Sequence, residues 1–243
     1  MKNTRNKIII FTLILILIAA IGILVARNLD QKKSTTESDK TSDSKTINSA
    51  EAKLLHKIQK DDIVLGESSA KVTVIEYASL SCPHCATFHA EGLPKLKAEY
   101  IDSGKVNFVH RDFPLNQPAL VASMVAFCIA EDNQNDQVNQ YYSFIKALFK
   151  TQDSWAFSDN FTEKLKSIAK LDGMSSEHFN SCIKDTALQE RILKSRLYVS
   201  QTLQLQSTPT FIIGDKTING YAGYDEIKKA VDQKLSAINS PKN

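Results

Sequence analysis

No cysteine precedes Cys82, and no charged residue falls between Lys7 and Arg27. The first absence excludes a lipid-modified cysteine at the end of an export signal. The second leaves an uninterrupted apolar run from Ile8 to Ala26 behind three cations, Lys2, Arg5 and Lys7. Those three carry the whole formal charge of +3; from Arg27 onward acidic and basic residues are equal in number. A body without net charge lacks the basic footprint of a nucleic-acid-binding protein. Internal repeats are absent as well, which excludes a stacked array.

What the amino terminus does have is the layout of an export signal: a short basic region, then an apolar stretch. At about 1.5 Å rise per residue, a helix from Ile8 to Ala26 just spans the hydrocarbon core, so residues 1–26 read as a transmembrane anchor. The small residues Ala20 and Gly22 leave a cleaved signal as the alternative. Either way the cations keep the amino terminus in the cytoplasm and the rest is exported, to the periplasm or the outer face of the cytoplasmic membrane. Residues 27–49 are rich in Lys, Ser, Thr, Asp and Asn, with Leu29 and Ile47 almost the only large apolar side chains. Such a segment buries too little to fold and reads as a disordered tether. Residues 50–243 remain for one domain.

Within that domain Val72 to Ala78 is a short β-branched run, as in a buried strand, and it leads directly into Ser79-Leu80-Ser81-Cys82. A helix over Cys82 to Ile101 follows, with Pro83 in its first turn and a kink at Gly92-Leu93-Pro94. Lys105 to Phe113 predicts a second strand, completing a βαβ unit. From about 116 to 206 the pattern is helical: Ala119–Ala130 is apolar almost all round, and Val138 to Phe149 recurs at three-to-four spacing. Phe161 to Leu171 does the same behind a cap at Ser158 or Asp159 and stops at Gly173. A further helix covers Thr186–Leu203. A hairpin at 208–219, turning at Gly214-Asp215, and a last helix from Tyr224 to Ile238 close the chain. Arg111-Asp112 reads as a strand-end ion pair and Trp155 as a core aromatic.

Export allows disulfides, and four cysteines divide naturally into Cys82 with Cys85 and Cys128 with Cys182. The second pair would close a loop of about fifty residues, worth roughly 3 to 4 kcal/mol in the chain-entropy model; two unpaired buried thiols are the alternative. Cys82-Pro83-His84-Cys85 is the chemistry-bearing motif. At a helix start the free N–H groups and the dipole favour a thiolate on Cys82, taken as the exposed cysteine, with Cys85 one turn inside as the buried partner. His84 can donate to that thiolate or attract it when protonated. Stabilising the thiolate stabilises the dithiol and makes the disulfide a stronger oxidant. The competing readings are an inert disulfide and a zinc site at Cys82, Cys85 and His89, for which His84 and His110 are only loose fourth ligands.

Cys-Pro-His-Cys on a strand-to-helix turn, Thr208-Pro209 before a hairpin and a helical insert between them resemble the bacterial DsbA family. The resemblance spans roughly residues 60 to 240. It implies an α/β, thioredoxin-like fold with an inserted helical subdomain, acting as an exported dithiol oxidase on reduced exported proteins. It also implies reoxidation by a DsbB-like membrane protein and no bound cofactor, the redox group being the Cys82–Cys85 disulfide. By the same resemblance Thr208-Pro209 is a cis-proline loop facing the sulfurs, with the Thr208 hydroxyl placed to touch Cys82 and the Thr208 backbone to pair with a client. Glu76, a carboxylate inside an apolar strand, resembles the family's acidic residue beneath the disulfide, which relays the proton of Cys85; a solvent-facing strand residue is the plain alternative. A monomer is expected. An isomerase or dedicated reductase is the competing activity, although the stretch before Asp62 is short for an isomerase's dimerisation module. A non-enzymatic zinc-binding surface protein is the competing class.

Overall fold

The computed structural model describes residues 55–132, 134–205 and 207–240. The expected anchor or signal (1–26) and tether (27–49) lie outside the described residues. Among the described residues no helix is long and apolar enough to cross a membrane.

Five strands form one mixed sheet in the order β1-β3-β2-β4-β5. They are β1 Val64–Leu65, β2 Val72–Ala78, β3 Val106–Asp112, β4 Thr210–Ile213 and β5 Lys216–Asn219. Only β2 and β3 run parallel; the other pairings are antiparallel. A parallel pair needs a crossover, and the helical segment after Cys82 supplies it. That segment winds as α1 Pro83–Thr87, a π turn Phe88–Gly92, α2 Leu93–Leu96 and a second π turn Lys97–Ile101. The expected kink at Gly92-Leu93-Pro94 takes the form of the first π turn, because Pro94 has no N–H to continue the regular ladder.

Strand alternation divides the core. Val72, Val74 and Ala78 of β2, with Val106 and Phe108 of β3, face the larger cluster, which includes Phe88, Leu96 and Val231. Ile75, Tyr77 and Val109 face the opposite side, where Val199 packs on them. Because side chains alternate with period two, Arg111 and Asp112 point to opposite faces and do not pair. Arg111 instead donates through Nε and Nη2 to Asp62 at 2.9 and 2.7 Å and through Nη1 to Tyr77 Oη at 2.6 Å.

The insert holds α3 Gln117–Asp132, α4 Gln137–Lys150, α5 Gln152–Trp155, α6 Phe161–Leu171, α7 Ser176–Cys182 and α8 Thr186–Leu203; α9 Tyr224–Asn239 closes the chain. As its apolar sequence requires, α3 is buried along most of its length. The expected cap of α6 is corrected: Asn160 is the N-cap residue and makes no side-chain cap bond, while Ser158 Oγ donates to Asn160 Oδ1 at 2.6 Å. Gly173 adopts φ 95°, the left-handed conformation that ends α6. Trp155 is fully buried and donates from Nε1 to the Leu148 carbonyl at 3.0 Å.

Cys128 of α3 and Cys182, at the end of α7, are bonded across a sequence separation of 54. A loop of that length is worth about 4 kcal/mol in the chain-entropy model. Replacing both cysteines by alanine should lower the denaturant midpoint, and unfolding curves that coincide with the parent's would show that the cross-link does not stabilise this domain.

Candidate active site

β2 ends at Ala78, and the chain turns through Ser79-Leu80-Ser81 with the Cys82 N–H donating to the Ser79 carbonyl at 2.9 Å. Cys82 is then itself the N-cap of α1, with φ −88° and ψ 120° and no oxygen side chain to satisfy the first N–H groups. Pro83 occupies the first helical turn, where its missing N–H costs nothing. The helix start is therefore left to solvate sulfur. Gln152, on the short α5, holds this turn by donating from Nε2 to the carbonyls of Leu80 at 2.7 Å and Cys82 at 3.1 Å.

Cys82 and Cys85 are both free thiols. The expectation that Cys82 is exposed is corrected: it is 5 % exposed and Cys85 is 0 % exposed. The cover over Cys82 comes from the loop before β4. The Thr208–Pro209 peptide bond is cis, and the Thr208 carbonyl accepts from Cys82 Sγ at 3.3 Å. It is thus the Thr208 carbonyl, rather than its hydroxyl, that pairs with the thiol. In the thiol form the buried hydroxyl has no hydrogen-bond partner among the described residues, but it lies near enough to Cys82 to favour the thiolate. Pro83 and His84 are exposed beside the sulfur.

The two thiols are driven apart in acidity. Donation from the Cys85 thiol lowers the Cys82 pKa from 9.0 to about 6; burial opposes it, while the Thr208 hydroxyl and the backbone N–H groups of Cys85 and His84 add to it. Burial pushes Cys85 well above 9.0, helped by the bond it gives Cys82 and by the charge of Glu76. At neutral pH one proton remains in the pair, on Cys85.

Glu76 is 0 % exposed, so the solvent-facing alternative is excluded. Its Oε2 accepts from His89 Nε2 at 2.8 Å and from His110 Nδ1 at 3.2 Å. Burial favours the neutral acid, but the two histidines outweigh it and hold Glu76 below the ordinary carboxylate value. Burial likewise disfavours a charged His110, yet the Asp112 carboxylate 3.6 Å from its Nε2 and the bond to Glu76 raise it to about 9. For His89 burial prevails and lowers the pKa. The buried cluster therefore consists of a Glu76–His110 ion pair and a neutral His89, whose ring stacks on Phe149 at 4.2 Å between centroids. Among the described residues, Glu76, His89 and His110 are also the one group of at least three potential ligands gathered within 4.8 Å. Their separations are those of hydrogen bonds to one another, and neither Cys82 nor Cys85 joins them. Cys82, Cys85 and His89 do not form a common zinc-ligand set here.

Sequence reasoning did not connect Glu76 to His110. A signal was present: each is the fifth residue of an apolar strand, and the parallel register Val72↔Val106 sets them side by side. Gln152 carries no comparable signal.

A vicinal dithiol at a strand-to-helix junction, opposed by a cis-proline loop on a mixed sheet, defines a thioredoxin-fold thiol–disulfide oxidoreductase. The family model described as thioredoxin matches residues 58–233. A Rickettsia bellii chain carrying the name protein-disulfide oxidoreductase is 31 % identical over 79 % of this chain and 70 % of its own length. Disulfide bond formation protein D of Bacillus subtilis is 28 % identical over 71 % of this chain and 76 % of its own. The crystal structure of alpha-DsbA1 from Wolbachia pipientis superposes with a TM-score of 0.69 at 30 % identity, covering 76 % of this chain and 96 % of that one. The chain belongs to the DsbA family of thioredoxin-fold thiol–disulfide oxidoreductases.

A thiol whose folded pKa lies below its unfolded one stabilises the fold fully above the unfolded value and loses that contribution as pH falls through the folded value. Stability of the reduced protein relative to its Cys82→Ser variant should therefore rise between pH 6 and 9. In the same range alkylation of the reduced protein should occur at Cys82, with a midpoint near pH 6, and leave Cys85 unmodified. A midpoint near 9 would remove the thiolate from this description.

Proposed function

We propose that this protein is an exported dithiol oxidase that introduces disulfide bonds into client proteins. The observation that carries the reading is the acidic Cys82 beside a Cys85 that keeps its proton. Each pKa unit of thiolate stabilisation is worth about 1.4 kcal/mol, or about 30 mV in a two-electron couple, in favour of the reduced enzyme. A protein stable as the dithiol takes electrons from its clients.

A client thiolate attacks Cys82 Sγ of the Cys82–Cys85 disulfide, and Cys85 leaves with the electron pair as a thiolate that takes a proton. The client's second thiolate then attacks its own sulfur in the mixed disulfide, and Cys82 departs as its stable thiolate. The client gains one disulfide and the enzyme two electrons. Thr208 and Pro209 shape the surface on which the client rests, and His84 serves the Cys82 thiolate from outside. Glu76 exchanges the proton of Cys85; its burial and its charge on that thiol support this role. A DsbB-like membrane protein reoxidises the dithiol, and the Ile8–Ala26 segment exports the chain as anchor or cleaved signal. The protein acts as a monomer, and the disulfide is its redox group.

Oxidised protein mixed with a reduced dithiol peptide should yield the peptide disulfide stoichiometrically, and Cys82→Ala should abolish the reaction. A peptide that stays reduced would favour a reductase or an isomerase over an oxidase.

A further inference from the structure

Cys85 is 0 % exposed, yet it must gain a proton when a client opens the disulfide and lose one when the disulfide reforms. Both events occur while another protein covers Cys82. The face bearing Pro83 and His84 is then occupied, so a proton needs a way in and out elsewhere.

His110 is placed to provide one. Its Nδ1 donates to Glu76 Oε2 at 3.2 Å, and its buried Nε2, without a hydrogen-bond partner among the described residues, faces Asp112 Oδ1 at 3.6 Å, a gap that a small rotation closes. Imidazole accepts a proton at one nitrogen as it releases one from the other. Asp112 is fixed by donation from the Ser123 hydroxyl and from the Tyr141 hydroxyl at 3.2 Å. His110 and Asp112 also line a cavity of about 170 Å³ beside the C-terminal end of β3. Exposed Asp61, Arg191 and Ser195 border it, so it meets solvent away from the sulfurs. A volume of this order holds several waters. The other titratable groups around the relay are Asp62, Arg111, Tyr141 and Tyr142. Tyr141 and Tyr142 are raised above the ordinary tyrosine value by burial and stay neutral, and Arg111 is engaged by Asp62. His89 reaches Glu76 but does not line the cavity.

We propose that His110 and Asp112 form a rear proton route joining Glu76 to this cavity, so that Cys85 exchanges its proton with solvent while a partner protein covers Cys82. The route rests on the reading of Glu76 as the proton partner of Cys85. In client oxidation the Cys82–Cys85 bond breaks and Cys85 leaves as thiolate; the proton it takes comes from the His110 imidazolium across the Glu76 carboxylate, and His110 is reprotonated from the cavity. In reoxidation the partner's disulfide is the oxidant. Cys85 gives its proton to Glu76, attacks Cys82 Sγ and expels the partner's thiolate, while the proton leaves through His110 and Asp112. His110 and Asp112 are positioning and proton-transfer residues that do not touch the client.

The test is rapid mixing of oxidised protein with a reduced dithiol peptide at pH 7, in H₂O and D₂O, alongside glutathione equilibration. Glu76→Gln should react at least about tenfold more slowly, within the range for lost acid–base catalysis. His110→Gln should slow the reaction about fivefold or more and change its solvent isotope effect. Ser195→Phe, at the cavity mouth and remote from the sulfurs, should slow it about threefold with an unchanged glutathione equilibrium. If Glu76→Gln is slow while His110→Gln and Ser195→Phe both match the parent within about twofold, the route is wrong and the Glu76 reading stands. If Glu76→Gln matches the parent, that underlying reading fails. A slow His110→Gln with Ser195→Phe at the parent rate overturns the cavity as the exit. Should His110→Gln fail to fold, Asp112→Asn with Ser195→Phe decides by the same criteria.

Discussion

One proton shared unequally between two sulfurs governs this structure. The Cys85 thiol donates to the Cys82 thiolate, and that single interaction is the largest cause of the low pKa of Cys82. It works only because the surroundings of the two atoms differ. Cys82 caps a helix whose first N–H groups have no other acceptor, whereas Cys85 lies fully inside the core. Were Cys82 replaced as cap by serine or aspartate, those N–H groups would be satisfied by oxygen and the sulfur chemistry would be lost.

The remainder of the fold maintains this asymmetry. The parallel β2–β3 pair forces a helical crossover, which begins where β2 ends, at the cysteines. From the insert, Gln152 ties down the carbonyls of Leu80 and Cys82, and the loop before β4 covers Cys82 with Thr208, whose carbonyl accepts from the thiol and whose hydroxyl favours the thiolate. Beneath lies Glu76, a charge that burial alone would neutralise. Its ionisation is sustained by His89 and His110, and His110 is itself held protonated by the carboxylates of Asp112 and Glu76. A buried pair of this kind contributes little net stability, because desolvation cancels much of the attraction. The charge of Glu76 acts on the unexposed Cys85 thiol, which is what the proposed proton exchange rests on.

Much of this was legible in the sequence because the signals were local. Five β-branched or aromatic residues among seven marked β2, three-to-four spacing bounded α6 at Phe161–Leu171, and Gly214-Asp215 marked the hairpin turn. β1 has two residues and α5 has four, too short for any periodicity to register. The capping of α6 by Asn160, the pairing of Arg111 with Asp62 and the cover over Cys82 depend on residues brought together from a distance. Composition did not show that Glu76 would be shared by two histidines, one from the crossover helix and one from the neighbouring strand. Strand register did carry that information for His110, though only once β2 and β3 were known to be parallel.

If the unequal sharing of a proton sets the direction of electron flow, the redox equilibrium of the Cys82–Cys85 couple with glutathione, followed across pH, tests it most directly. The account predicts a couple more oxidising than glutathione, with a change in pH dependence near 6, where Cys82 loses its proton. A couple more reducing than glutathione, or one whose pH dependence is unbroken from 5 to 8, would contradict it.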